Sequence, residues 1–321
     1  MAEVLCFGEA LIDLLAEPGS VPLRFQRFAG GAPANVAVAL AKLGTPVSFI
    51  GMLSQDAFGD FLLESLKAAG VSTVQTVRTG SANTALAFVT LDASGDRRFT
   101  FYRPPAADLL FRTELFQPTA FEQAAAFHCC SNSLTEAPIA AATLAGAKLA
   151  RKSGALVSFD MNFRPALWAE GVDAHLRIWP LLHEADVVKL SVSELAFLAD
   201  RMGGEGAAIT EIWRGHAQWL LITDGAAPLR HLARESQDSL ASFRVECVNA
   251  TGAGDAFAAG ILHNLAGLRA EGLKGFLEDP ARVHAVLRFA AACGALAVTR
   301  HGAFEAMPSR ADVEALLATQ P

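Results

Sequence analysis

The run Asn249-Ala250-Thr251-Gly252-Ala253-Gly254-Asp255-Ala256-Phe257 is the most specific chemical signal in the 321-residue chain. An apolar stretch enters a glycine-rich turn, and the turn opens a helical pattern that continues to Gly260. A helix start has free N–H groups and a positive dipole end, so it attracts phosphate. Gly252 and Gly254 let the backbone approach a ligand closely. Asp255 falls in the first helical turn. Its carboxylate has two readings there: a base that takes the proton of an attacking hydroxyl, or a helix cap. A dinucleotide fingerprint is disfavoured, because Phe257 stands where its third glycine should be. No Walker A loop occurs.

A second glycine turn, Gly30-Gly31-Ala32-Pro33-Ala34-Asn35, also leads into a helical pattern. Proline suits a helix start, and asparagine inside the first turns is a poor helix former. Asn35 therefore reads either as a ligand for a hydroxyl or as a tolerated helix residue. Other polar groups follow apolar strand-like runs: Asp13 after Gly8-Glu9, then Asp160, Asn162 and Arg164, then Lys189, Ser191 and Glu194, then Thr223-Asp224-Gly225. In open α/β sheets ligands bind beyond the carboxyl ends of strands, which would gather these groups on one edge. Each also has a plainer reading. Asp160 and Glu194 suit helix starts, Arg164 suits a solvated surface, and Thr223 and Gly225 suit a turn. The eight histidines show no metal-ligand spacing, and His128-Cys129-Cys130 alternate between strand faces.

The elements that must position these residues are legible in the hydrophobic pattern. Val4–Phe7, Val47–Ile50, Ala126–Cys130, Ala155–Phe159, Val187–Leu190, Trp219–Ile222 and Val245–Val248 read as buried strands. Helical patterns separate most of them, including Pro33–Leu43 and Gly59–Ala69. This alternation predicts an α/β fold: a doubly wound, mostly parallel sheet covered on both faces. Two segments break the rhythm. Leu86–Leu91 and Arg98–Arg103 are strand-like and are joined by Asp92-Ala93-Ser94-Gly95-Asp96, a turn sequence. Leu11–Leu15 and Arg24–Phe28 form a similar pair. These strands, from about 11–29 and 84–106, are expected to form a small antiparallel β lid. The alternative is an extension of the main sheet's edge. One domain spanning 1–321 with an inserted lid is the expected organisation.

Composition bounds the function. With 52% hydrophobic and 18% charged residues the chain can bury a large core. A net charge of −7 gives no electrostatic case for nucleic acid or an anionic membrane as partner. Cys6, Cys129, Cys130, Cys247 and Cys293 are odd in number and lack a CxxC pair, which suits reduced, buried thiols in the cytoplasm. Glu3, Glu9 and Asp13 interrupt any signal-peptide pattern.

The two glycine turns together resemble the signatures of the PfkB/ribokinase family of carbohydrate kinases, GGAPANVAVALAKLG at Gly30–Gly44 and ATGAGDAFAAG at Ala250–Gly260. Within that family GEALIDL, FYRPPAADLL and FDMNFRPALW are most similar to fructokinases. The resemblance implies ATP-dependent phosphorylation of a sugar, with Mg²⁺ and often K⁺, and a dimer through the lids. It implies Asp255 as base and an anion hole from the amides of Gly252, Ala253 and Gly254. It implies Asp13, Gly30, Gly31 and Asn35 as sugar ligands, with Arg103 and Arg164 nearby. Lys189, Glu194, Thr223 and Gly225 would serve the nucleotide and Mg²⁺. A monovalent cation would sit by Asn249 and Thr251 and the carbonyls near Ala297, Arg300 and Gly302. The chain departs from the family at Asn249, where aspartate is usual, at Ser191, which stands for asparagine, and at Ala227, which stands for glycine. A 2-keto-3-deoxygluconate kinase is the alternative within the family, since two arginines suit a carboxylate. A nucleoside kinase and a non-catalytic sugar- or nucleotide-binding relative are further alternatives.

Overall fold

The computed structural model describes residues 2–17, 20–91, 97–268 and 270–320. Its strands are β1 (Val4–Phe7), β2 (Leu11–Ala16), β3 (Phe25–Gly30), β4 (Val47–Ser54), β5 (Thr76–Thr79), β6 (Leu86–Leu91), β7 (Arg97–Tyr102), β8 (Ala126–Cys130), β9 (Leu156–Asp160), β10 (Val187–Ser191), β11 (Trp219–Thr223), β12 (Leu229–Ala233) and β13 (Gln237–Leu240). Its helices are α1 (Ala32–Lys42), α2 (Ala57–Ala68), α3 (Pro118–Phe121), α4 (Ala137–Lys152), α5 (Ala174–Glu184), α6 (Val192–Ala199), α7 (Glu205–Arg214), α8 (Ala253–Leu265), α9 (Ala270–Leu277), α10 (Pro280–Ala297) and α11 (Arg310–Thr319).

The main sheet has the order β13-β12-β11-β10-β9-β8-β1-β4-β5. It is parallel from β11 to β5, and β12 and β13 add an antiparallel hairpin at one edge. Side-chain alternation divides its central strands between two cores. Val4 and Cys6 of β1 pack with α1, α8 and α10, whereas Leu5 and Phe7 pack on the opposite face with Phe111, Phe127 and α4. Burial on both faces explains why these strands read as continuous apolar runs.

The lid is a separate four-stranded sheet, β3-β2-β6-β7, which rules out the edge-extension reading. Each hairpin is antiparallel, and the two meet along a parallel seam between β2 and β6. The turn Asp92–Asp96 lies outside the described residues.

Three sequence expectations need correction, and one hairpin was not anticipated. Val245–Val248 is not a strand. The segment leaves the sheet edge, and the Val248 and Asn249 amides both donate to the Val298 carbonyl just past α10, at 2.8 and 2.9 Å. Cys247 on it is exposed, whereas the other four cysteines are buried and free. Asp13 does not follow a main-sheet strand; it sits in the middle of the lid strand β2. The β12–β13 hairpin was not legible, because its half-exposed strands lack a continuous apolar run.

Candidate active site

A cavity of about 480 Å³ opens between the lid and the carboxyl ends of β9 and β10. Leu11 and Asp13 of β2 and Phe101 of β7 face it from the lid. The starts of α1, α6 and α8 face it from the core.

Helix α8 begins at Gly252, whose φ of +81° is a left-handed conformation that favours glycine. No side chain caps this end, so its first N–H groups are left for a ligand. Asp255 occupies the third helical position. Its carboxylate turns away from its own helix: Oδ2 accepts 2.7 Å from Asn35 Nδ2, and Oδ1 accepts 3.3 Å from Asn162 Nδ2. The cap reading of Asp255 therefore fails. The group is only 7% exposed. Burial, with Asp160 adding to it, raises its pKa from 3.8 to about 7 against the opposing Asn35 hydrogen bond and Lys189 charge. Asp13 is raised likewise to about 7, first by burial and then by the charges of Asp255 and Glu305.

The Gly30-Gly31 turn is built for close approach. A Cβ on Gly30 would lie 2.3 Å from Asp13 Oδ2, and one on Gly31, at φ +108°, would lie 2.5 Å from the Glu9 carbonyl. Pro33 lies in the first turn of α1, which brings Asn35 onto Asp255. Glu9 completes this turn: Oε1 accepts the Ala32 amide at 3.1 Å and Asn132 Nδ2 at 2.9 Å.

Arg103 and Arg164 differ sharply. Arg103 is buried and binds Asp108 Oδ2 through Nε at 2.9 Å and Nη2 at 2.5 Å. Its Nη1 donates to the Asn132 carbonyl at 2.7 Å. Arg164 is exposed at the cavity mouth, with one bond of 3.3 Å to the Phe163 carbonyl.

At the other end of the cavity Lys189 Nζ bonds both oxygens of Asp160, at 3.0 and 2.9 Å. A Cβ on Gly254 would lie 2.9 Å from that ammonium, so any larger residue would push Lys189 aside. Glu194 forms a capping box with Ser191 and also accepts the Phe163 amide at 2.7 Å, tying the β9 loop to α6. Thr223 is register partner to Ser191, one strand over, and Gly225 lies in the exposed turn beyond it. Neither lines the cavity. In the expected cation loop, Asn249 Oδ1 accepts the Thr251 amide at 2.8 Å. Ala297 ends α10, Arg300 pairs with Asp312 at 3.4 Å, and Gly302 has φ +89°. No group of three or more His, Cys, Asp or Glu forms a metal cluster among the described residues.

The structure thus joins Asp13, Gly31, Asn35, Arg103, Arg164, Lys189, Glu194 and Asp255 in one cavity. Sequence reasoning left out Glu9 and Asn132, and it placed Asn162 on the edge without a partner. The signal for Asn162 was the Asp-Met-Asn spelling after β9; its φ of +39° is the only positive one outside glycine among the described residues. Glu9 and Asn132 gave no such signal, because their partners are distant in sequence.

Comparison with known proteins gives concordant results. Residues 1–310 match the model for the pfkB family carbohydrate kinase. Fructokinase-1 of Zea mays is 38% identical over 318 residues, which span 98% of this chain and 97% of that protein. The structure of the fructokinase of Xylella fastidiosa with bound ATP is 52% identical, with a TM-score of 0.96 over 99% of this chain and 98% of that one. A double mutant of the Vibrio cholerae O395 fructokinase, in its fructose, ADP and potassium ion bound form, is 30% identical. Its TM-score is 0.88 over 99% of this chain and 98% of that one.

Proposed function

Because the chain belongs to the pfkB family of carbohydrate kinases, we propose that it transfers the γ-phosphoryl group of ATP to the 6-hydroxyl of fructose, with Asp255 as general base. The observation that carries this reading is Asp255 itself: a buried carboxylate beside an uncapped helix start, facing a cavity under a lid. The relatives that bind fructose, ADP and ATP support the substrate pair.

In this reading Asp13, Asn35 and the Gly30-Gly31 turn hold the sugar hydroxyls and aim O6 at the γ-phosphorus. Asp255 takes the O6 proton as the O6–P bond forms and the bond to the ADP oxygen breaks. The first amides of α8, at Gly252, Ala253 and Gly254, stabilise charge on the transferring group without reorganising. Lys189 adds a cation beneath them, fixed by Asp160. The lid excludes water and so limits ATP hydrolysis. Thr223 and Gly225 border the nucleotide on the sheet edge.

The carboxylates present suit Mg²⁺ carried in on the nucleotide phosphates better than a protein cage. Asp160 is committed to Lys189 and Glu194 to two backbone amides. Mg²⁺ would neutralise phosphate charge there. The K⁺ loop fits less well, because Asn249 offers a neutral oxygen already accepting an amide, and no step is derived through that ion.

We further infer a cytoplasmic protein acting as one unit over 1–321 and a homodimer through the lid. Phe25, Phe88 and Tyr102 form a ring cluster on the lid, with centroids 5.2 and 5.3 Å apart, and Tyr102 is 65% exposed.

A coupled ADP-release assay over fructose, 2-keto-3-deoxygluconate, ribose, adenosine and tagatose tests the substrate. Fructose is expected to give the highest kcat/KM. A preference for the keto acid would overturn the sugar assignment, and no ADP release with any of them would overturn the kinase reading.

A further inference from the structure

We propose that Asp108 sets the substrate class: by committing the Arg103 guanidinium, it makes the cavity select an uncharged sugar over a sugar acid. The inference rests on the fructose reading and deepens it.

Arg103 is the one buried arginine on the cavity wall among the described residues, and it is the group to which a substrate carboxylate would turn. Four of its five N–H donors already have protein acceptors, Nη1 also reaching Thr135 Oγ1 at 3.4 Å, which leaves one N–H on Nη2. Nε and Nη2 bind Asp108 Oδ2, and Nη1 binds the Asn132 carbonyl. The two side chains are 2% and 3% exposed, so solvent screens the pair little. A ligand carboxylate could take only that single N–H of a charge already matched by Asp108; a bidentate pair would require displacing Asp108 and leaving it buried and unpaired, which is the costly outcome for such pairs.

The remaining charges do not help an acid. Lys189 is matched by Asp160. Arg164 lies at the exposed mouth, where an ion pair is worth little. Glu9, Asp13 and Asp255 bring carboxylates to the wall. A ligand carboxylate would meet like charge there as these groups ionise, whereas a hydroxyl can donate to their oxygens. Asp108 touches no cavity atom; it acts through Arg103 and is a positioning residue.

The test is Asp108→Asn, which keeps the shape of the side chain and removes its charge. The kcat/KM for fructose and for 2-keto-3-deoxygluconate are measured on both proteins. The fructose-to-acid ratio is expected to fall by about 100-fold in the variant, with the acid gaining in absolute terms, a change within the range such pockets discriminate. A parallel loss with both substrates means a merely structural role and overturns the proposal. A wild-type preference for the acid instead overturns the fructose reading itself.

Should the variant not fold, wild type supplies an independent readout. Mannitol and mannonate differ only at CH₂OH against COO⁻, and each is titrated as a competitor of fructose. Mannonate is expected to compete at least about tenfold more weakly, a difference of ~1.4 kcal/mol. Equal or stronger competition by mannonate overturns the proposal.

Discussion

Asp255 is pulled in two directions. A helix start, the Asn35 hydrogen bond and Lys189 all favour its ionised form, but burial prevails and brings it to about 7. A base with that pKa is ionised on the alkaline side and protonated on the acid side. The kcat/KM for fructose is therefore expected to fall as pH drops through about 7. The apparent value belongs to the Asp13–Asp255 pair, since the Asp13 pKa is also raised to about 7. A flat profile from pH 5 to 8 would contradict this account. Stability follows the same shift with a definite sign. A carboxyl whose folded pKa lies above its unfolded 3.8 contributes stability at low pH that is lost as pH rises towards 7. Asp255→Asn should melt above wild type at pH 8, and the gap should close near pH 4. The identity of this residue was legible in the sequence. Its environment was not, because Asn35 and Asn162 reach it from 220 and 93 residues away.

The helix starts carry the site, and α1 and α8 are tied together at more than one point. Their contact places Asn35 on Asp255. At the other end of α1, Lys42 Nζ donates to the carbonyls of Phe304 at 2.6 Å and Met307 at 3.0 Å. Met307 in turn abuts the glycine turn that opens α8, because a Cβ on Gly252 would lie 2.8 Å from its methyl carbon. Lys42 therefore anchors the loop that backs Gly252. Lys42→Met is expected to cost about 1.5–3 kcal/mol, the range for hydrogen bonds to a charged group, and to lower kcat more than it raises the KM for fructose. Thermal melts and steady-state kinetics check both parts; unchanged values would leave Lys42 a surface residue. The helices were legible from their 3.6-residue pattern, although α1 and α2 begin one and two residues before their expected starts. The apolar residues of Val245–Val248 misled because pattern alone does not show whether a strand position is free; the sheet already ends at β13.

At the scale of the molecule, a nine-stranded doubly wound sheet and a smaller four-stranded sheet face each other across the cavity. The α/β alternation made the first legible and the missing helix between β6 and β7 made the second so. The parallel seam between β2 and β6 left no local trace, since it pairs strands from separate hairpins. Exposed Tyr102, packed on the half-buried Phe88, suits contact with a second copy of the chain. Light scattering should give a dimer, and Tyr102→Asp should shift it to monomer; a wild-type monomer at micromolar concentration would contradict the lid dimer. Proton removal by Asp255 is tested most directly by ADP release from Asp255→Asn with fructose and ATP, alongside fructose binding by calorimetry. The account predicts retained fructose binding and turnover reduced by ~10²–10⁴-fold, the usual contribution of a general base. Near-wild-type turnover in a variant that still binds fructose would contradict it.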